Sequence, residues 1–305
     1  MTAITIPFTA TSTAAEVLAG VDLTGKRILI TGGGSGLGRA AATALREAGA
    51  EVITPARQEL DLGDVTKVLH FTKKWTGSLD AVIANAGIMA VPERRLASNG
   101  WELQLATNFL GHFALVAGLR EDLAPDARVV LVSSGAQLRA GVDFEDPHFE
   151  RRPYDPWVAY GQSKAAEVLL AVALSRRGIT ATAMAPGRIH TNLQRHMDPA
   201  TMRAMGAMDE HGNLIHAEGY KTPEQGAAGE VLLAASPLLA GVSGVYLDED
   251  NQIAEVVPGG PEPMFGVAEW SVDPVAADRL WDYAATAIGA LTPPSLPERS
   301  TPARQ

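Results

Sequence analysis

Residues 26 to 50, KRILITGGGSGLGRAAATALREAGA, constrain the fold of this chain more than any other stretch. An aliphatic, β-branched run predicts a strand, and an alanine-rich run predicts a helix ending near Gly49. Between them lie Gly32, Gly33, Gly34, Gly36 and Gly38. Glycines there let the backbone turn tightly and approach a ligand closely, while the free N–H groups and dipole of the following helix face negative charge. A dinucleotide pyrophosphate needs such a place. The spacing is G-x-x-x-G-x-G, with Ser35 and Leu37 between the later glycines, and not the commoner G-x-G-x-x-G. A glycine turn by itself can be only a turn; the strand–turn–helix setting favours nucleotide binding.

The pattern continues. EVITPA (51–56), DAVIANAG (80–87), ARVVLVSSGA (127–136), ITATAMAPG (179–187) and GVYL (244–247) read as strands. WELQLATNFLGHFALVAGLR (101–120), WVAYGQSKAAEVLLAVALSRRG (157–178) and TPEQGAAGEVLLAAS (222–236, capped near Thr222) read as helices. Strands alternating with helices predict an α/β fold: a doubly wound parallel sheet with helices on both faces, in a single domain. Residues 1–24 form a lead-in, where the capping-box spacing of Thr13 and Glu16 predicts a short helix over 13–20. The domain is expected to span 25–291, and the proline-rich polar segment 292–305 to be disordered.

Charge and residue usage narrow the function. A formal net charge of −10 argues against nucleic acid and against an anionic membrane surface. The absence of cysteine excludes disulfides, thiolate chemistry and Cys-ligated zinc. The apolar stretch 231–247 is interrupted by Pro237, Gly241 and Gly244, too early for a membrane span, and reads as a helix end, a turn and a buried strand. The N-terminus lacks a basic segment followed by an apolar block, so a cytoplasmic protein is expected. His190, His196, His211 and His216 are not spaced to place a ligand set on one face, and no metal is expected.

At the end of the second strand, about 20 residues beyond the loop, an acidic residue would bind the ribose 2′-hydroxyl of NAD. That position holds Arg57, whose guanidinium suits a 2′-phosphate, although a solvated surface arginine is the plainer reading. Glu59 lies close by. NADP(H) is therefore favoured and NAD(H) stays open.

TGGGSGLG, NAG at 85–87, TNFLGHF at 107–113, VSS at 132–134, YGQSK at 160–164 and APGRIHTNL at 185–193 occur in one order. Together they resemble the short-chain dehydrogenase/reductase family, over about residues 25 to 195. Within it, GAEVITPAR, NFLGHF and the 26-residue interval from Ser134 to Tyr160 resemble the retinol dehydrogenase and WW-domain oxidoreductase branch. The resemblance implies a Rossmann-type fold and four catalytic positions. Tyr160 would be the general acid in carbonyl reduction. Lys164, one helical turn on, would lower its pKa and hydrogen-bond the nicotinamide ribose. A cation about 4 Å away supplies on the order of 4 kcal/mol at an effective dielectric of about 20, and about 3 kcal/mol brings a phenol toward neutrality. Ser134 would hold the substrate oxygen, with Ser133 as the competing position. Asn108 would bind a water linking Lys164 to solvent, or else cap a local kink.

Cofactor contacts follow from the same resemblance. They are Gly32, Ser35, Gly36, Leu37 and Gly38 in the loop, Arg57, and Asp61 with Leu62 at the adenine. Asn85, Ala86 and Gly87 would line the ribose; Tyr160 and Lys164 also contribute. Pro186, Gly187, Ile189 and Thr191 would close over the nicotinamide amide and phosphates. Asp61 could equally cap the helix VTKVLHF, and both can hold. One departure stands out: the helix usual in relatives is nearly absent between Arg57 and Asp61, so the adenine side should be short. The extra segment GVDFEDPHFERRPYDPWV (141–158) is expected to form a loop beside the substrate. Met197, Met202, Met205 and Met208 fall where relatives carry a substrate lid, around 193–221.

The expected function is an NADP(H)-dependent oxidoreductase acting on a carbonyl or alcohol of a small lipophilic molecule, with relatives suggesting a homodimer or homotetramer. A non-redox dehydratase or epimerase is one alternative, and a catalytically silent NADP(H)-binding protein the other. About 110 residues follow APGRIHTNL, little for a separate substrate domain, and both Tyr160 and Lys164 are retained.

Overall fold

A computed structural model describes residues 4–204, 206–215, 219–260 and 265–289, without the side chains of Asn192 and His196. Met205, His216 and the 292–305 segment lie outside the described residues. The lead-in forms helix α1 (Ala14–Val17), shorter than 13–20, with the predicted Thr13–Glu16 capping box present. Strand β1 (Arg27–Ile30) enters α2 (Gly36–Glu47), followed by β2 (Glu51–Ile53), α3 (Val65–Lys73) and β3 (Leu79–Ala84). Helix α4 (Leu103–Leu105) runs through a π-helical turn (Ala106–Leu110) into α5 (Gly111–Gly118). Strand β4 (Leu123–Val132) leads to the long α6 (Pro156–Arg176) and then β5 (Thr180–Met184). The remainder comprises β6 (Arg188–Ile189), α7 (Pro199–Ala204), β7 (Tyr220–Lys221), α8 (Pro223–Gly226), α9 (Ala228–Ala235), β8 (Tyr246–Leu247), β9 (Val256–Val257), β10 (Val267–Ala268), α10 (Glu269–Val272) and α11 (Pro274–Ala287).

Six strands pair in the order β2-β1-β3-β4-β5-β8, every pair parallel. The chain winds from β1 outward to β2, then crosses back to β3 on the other side of β1. That reversal leaves a crevice beyond the carboxyl ends of β1 and β3, the place where such sheets bind ligands. Side chains alternate between the two faces, as strand geometry requires. Leu29, Val82, Val129 and Leu131 join a core with α5, α6 and α11, whereas Ile28, Ile30, Ile83 and Val130 join one with α1, α2 and α9.

The covering helices show why they lie where they do. In α2, Gly38, Ala41, Ala42 and Leu45 recur at helical spacing and are buried. Helix α6 is buried almost all round, because the sheet covers one side while α10 and α11 pack on it from outside. The sequence pattern did not assign α11, although Asp273 before Pro274 is a start signal and its carboxylate does accept from the Val275 amide. Residues 4–24 are tied into the body: α1 packs on α9, and the side chains of Asn251 and Gln252 donate to the carbonyls of Thr9 and Phe8.

Candidate active site

The loop after β1 is held open by two distinct steric demands. Gly36 has φ +52°, a left-handed conformation suited to glycine. At Gly38 a Cβ would stand 2.5 Å from Asn85 Nδ2 and 2.7 Å from the Gly32 carbonyl oxygen, so α2 can approach the end of β3 only without a side chain there. Ser35 occupies the N-cap of α2 yet makes no side-chain cap bond. The first amides of a twelve-residue helix thus face the crevice uncapped, which fits a pyrophosphate. Asn85 donates to the Thr31 carbonyl at 2.8 Å and Ala86 to the Thr31 hydroxyl at 3.0 Å, locking the ends of β1 and β3 together.

A cleft of about 1040 Å³ runs across these strand ends. Gly32, Ser35, Gly36, Leu37, Asn85, Ala86 and Gly87 line it, with Ser134, Tyr160, Lys164, Pro186, Gly187, Ile189 and Thr191. Its apolar wall includes Met89, Leu138, Trp157, Val158, Leu193, Met197, Met202 and Phe265. Gly38 and Asn108 stand behind the lining.

Ser133 and Ser134 are separated by what their hydroxyls do. Ser133 is buried and donates to the Lys164 carbonyl at 2.8 Å. Ser134, half-buried on the cleft wall, caps the turn after β4 by accepting from the Ala136 amide, and it lines the cleft together with Tyr160. Lys164 Nζ donates to the Val132 carbonyl at 2.8 Å and to Glu167 Oε2 at 2.7 Å. Burial opposes its charge, but Glu167 and Tyr160 outweigh burial and hold the lysine above its ordinary pKa. For Tyr160, burial is the largest effect and raises the pKa; Lys164 and Ser134 pull it down, Glu167 pushes it up, and the net direction is upward. The downward pull expected from the Tyr160–Lys164 spacing is present, but it is outweighed.

Asn108 lies in the π-helical turn and is fully buried. Its side chain accepts from the Ile88 amide at 2.9 Å and donates to the Ile88 carbonyl and the Ser163 hydroxyl, both at 2.9 Å. A Cβ on Gly87 would lie 3.2 Å from Asn108 Oδ1 and 3.6 Å from Lys164 Nζ, so both side chains crowd the same backbone. The Asn108 carbonyl accepts from His112 Nδ1 at 2.7 Å, and His112 Nε2 meets the Thr31 hydroxyl at 2.9 Å. Glu167 and His112 are site-neighbouring residues that the sequence reading missed. The available signal was an acid at i+3 from Lys164 and i+7 from Tyr160 in an otherwise apolar helix.

The adenosine end differs from expectation. Arg57, Asp61 and Leu62 do not reach the wall of the main cleft. Arg57 is 79% exposed and its Nε lies 3.7 Å from Asp61 Oδ2. Asp61 does not cap α3; Asp64 does, accepting from the amides of Thr66 and Lys67, because it directly precedes the first helical residue. The Leu62 side chain belongs to the core. No strand or helix lies between Ile53 and Val65, in keeping with a short adenine side. Arg195 lines the cleft; burial, then the neighbouring Arg57, lowers its pKa, so two guanidinium groups share this corner.

Most of the 141–158 segment packs away from the cleft, against the expectation of a loop beside the substrate. His148 Nε2 meets the Tyr283 hydroxyl at 2.9 Å, and the Tyr154 hydroxyl donates to the Val91 carbonyl at 3.0 Å. Only Trp157 and Val158 of this segment reach the cleft wall. Pairing of β6 with β7 ties the two ends of the expected lid together. Met197 and Met202 line the cleft below it, and Met208 does not. Among the described residues, no group of three His, Cys, Asp or Glu could hold a metal ion, and no helix is long and apolar enough to cross a membrane.

Comparison with known proteins adds independent observations. The family model described as short chain dehydrogenase matches residues 60–201, which excludes the glycine loop. A probable oxidoreductase of Streptomyces antibioticus is 54% identical over 88% of this chain and 100% of its own length. Retinol dehydrogenase 14 of Mus musculus is 32% identical over 88% of this chain and 87% of its own. Among solved structures, an uncharacterized protein from Mycobacterium Paratuberculosis superposes with a TM-score of 0.69 at 30% identity, covering 91% of this chain and 97% of that one. A 3-alpha-hydroxysteroid dehydrogenase from Pseudomonas sp. B-0831, complexed with NADH, gives a TM-score of 0.56 at 25% identity, covering 73% and 96%.

Proposed function

This chain belongs to the short-chain dehydrogenase/reductase family, in its retinol dehydrogenase-like branch, and on that premise we propose that it moves a hydride between NADP(H) and a carbonyl or alcohol of a small lipophilic molecule. The observation that carries this reading is the convergence of Ser134, Tyr160 and Lys164 on one cleft with an uncapped helix N-terminus. The nicotinamide group supplies or accepts the hydride when bound. Tyr160 donates its proton to the carbonyl oxygen, and Ser134 holds that oxygen as negative charge develops. Lys164 stabilises the phenolate left behind, and Asn108 keeps the backbone at Ile88 in place beside it. Gly32, Ser35, Gly36 and Leu37 would hold the pyrophosphate, with Gly38 letting α2 come close behind them. Asn85, Ala86 and Gly87 would border the ribose, and Pro186, Gly187, Ile189 and Thr191 would hold the amide end.

Arg57 and Arg195 together favour a 2′-phosphate, and hence NADP(H) over NAD(H). The apolar wall built by Met89, Leu138, Trp157 and Met202 favours a lipophilic substrate under a lid formed by residues 193–221. A homodimer or homotetramer remains the proposed assembly, but α11 already covers the outer side of α6, so the contact would use another face.

The test is oxidation of NADPH, and separately NADH, across ketones, aldehydes and quinones, beside Tyr160→Phe. Turnover preferring NADPH and falling by roughly 100- to 10,000-fold in the variant is expected. Turnover surviving in Tyr160→Phe would remove the tyrosine from its role; preference for NADH would remove the two arginines from theirs.

A further inference from the structure

Helix α6 carries a third ionisable side chain beside Tyr160 and Lys164. Glu167 follows Lys164 by three residues and Tyr160 by seven, so all three lie on one helix face. Its side chain is fully buried, and Oε2 accepts from Lys164 Nζ at 2.7 Å. Oε1 accepts no hydrogen bond; His112 Nδ1 is 3.4 Å away, but its proton is directed to the Asn108 carbonyl. On the other side Lys164 is anchored to the Val132 carbonyl, and its Nζ lies 5.7 Å from the centre of the Tyr160 ring. The ammonium thus stands between a carboxylate cut off from solvent and a nearly buried phenol at the cleft wall.

We propose that Glu167 is a positioning residue that pins Lys164 and cancels part of its field at Tyr160, so that the phenol keeps its proton through neutral pH. The site is then set to donate a proton to a carbonyl, and oxidation of an alcohol, which needs the phenolate, rises only in alkali. This rests on Tyr160 being the acid. Burial, the largest effect, and Glu167 both work in this direction, against Lys164 and Ser134. Other groups around them do not supply a compensating cation. Burial raises the pKa of Tyr246 from β8 and keeps it neutral, and His112 from α5 is held between Asn108 and Thr31. Asp278 of α11 pairs with Arg176 and Arg177 at the far end of α6, Arg279 pairs with Glu145, and Glu269 of α10 and Arg139 are exposed.

The decisive measurement is a spectrophotometric titration of tyrosinate in the wild-type protein, Glu167→Gln and Glu167→Asp, each against a matching Tyr160→Phe blank. Glu167→Gln should lower the Tyr160 midpoint by on the order of one pH unit, and the alkaline limb of alcohol oxidation should move down with it. Glu167→Asp keeps the charge and should stay within a few tenths of a unit of wild type. An unchanged midpoint in Glu167→Gln, with native circular dichroism, overturns the proposal. Should that variant not fold, the wild type still tests the proposal: a midpoint below the ordinary phenol value of about 10 overturns it. Because the titration reads the phenol and not turnover, its result stands apart from the test of Tyr160 as catalyst.

Discussion

Helices α6 and α9 lie on opposite faces of the sheet, and each buries one carboxylate in apolar surroundings. Glu167 on α6 has an ammonium 2.7 Å away. Glu230 on α9 has no hydrogen-bond partner on either oxygen, and burial alone lifts its pKa to about 8. The same side chain at the same depth therefore plays two parts. With a cation beside it, a buried acid remains a charge that can act on its neighbours; without one, it takes up a proton and becomes a polar group that costs stability.

Removing the cation should make the α6 side resemble the α9 side. Lys164→Met leaves Glu167 without its partner and should lower the unfolding free energy at pH 7 by about 3–5 kcal/mol, read from urea denaturation. Adding Glu167→Gln should recover more than half of that loss without restoring turnover, since the cation beside Tyr160 is still missing. Full additivity of the two changes would mean that the pair is not coupled.

The α9 side gives a pH signature of its own. Glu230 binds its proton more tightly in the folded protein than in the unfolded chain, where its ordinary pKa is 4.5. Its contribution to stability is complete below pH 4.5 and is lost progressively as pH rises to about 8. The loss is on the order of 4 kcal/mol. Denaturation across that range should show the decline, and Glu230→Gln, which cannot ionise, should flatten it. A decline equally steep in the variant would assign the slope to other groups.

The smallest effect belongs to the exposed Arg57, outside the cleft wall. Arg57→Ala should raise the KM for NADPH by about five- to tenfold and leave that for NADH unchanged, because a solvated guanidinium contributes modestly. Equal changes for both cofactors would place the 2′-phosphate elsewhere.

What the sequence made legible follows from how local each demand is. The glycine loop could be read because its steric needs lie within a few residues. The strand ends carrying Asn85, Ser134 and Pro186 could be read because strands and helices alternate with clear periods. The sequence offered Asp61 as the cap of α3, and only the backbone assigns it to Asp64. The π-helical turn around Asn108 has no periodic signature at all. The 141–158 segment owes its place to the distant partners Val91 and Tyr283, which no local pattern discloses. Glu167 was readable by spacing, but only its burial beside Lys164 gives that spacing meaning.

The cover over α6 has a further consequence for how the protein is made. Helix α11, which packs on the outer side of α6, is encoded far downstream, after β8 has closed the sheet edge. A ribosome therefore delivers the helix bearing Tyr160 and Lys164 well before the segment that shields it, and the nascent chain must hold an apolar surface uncovered while the rest is synthesised.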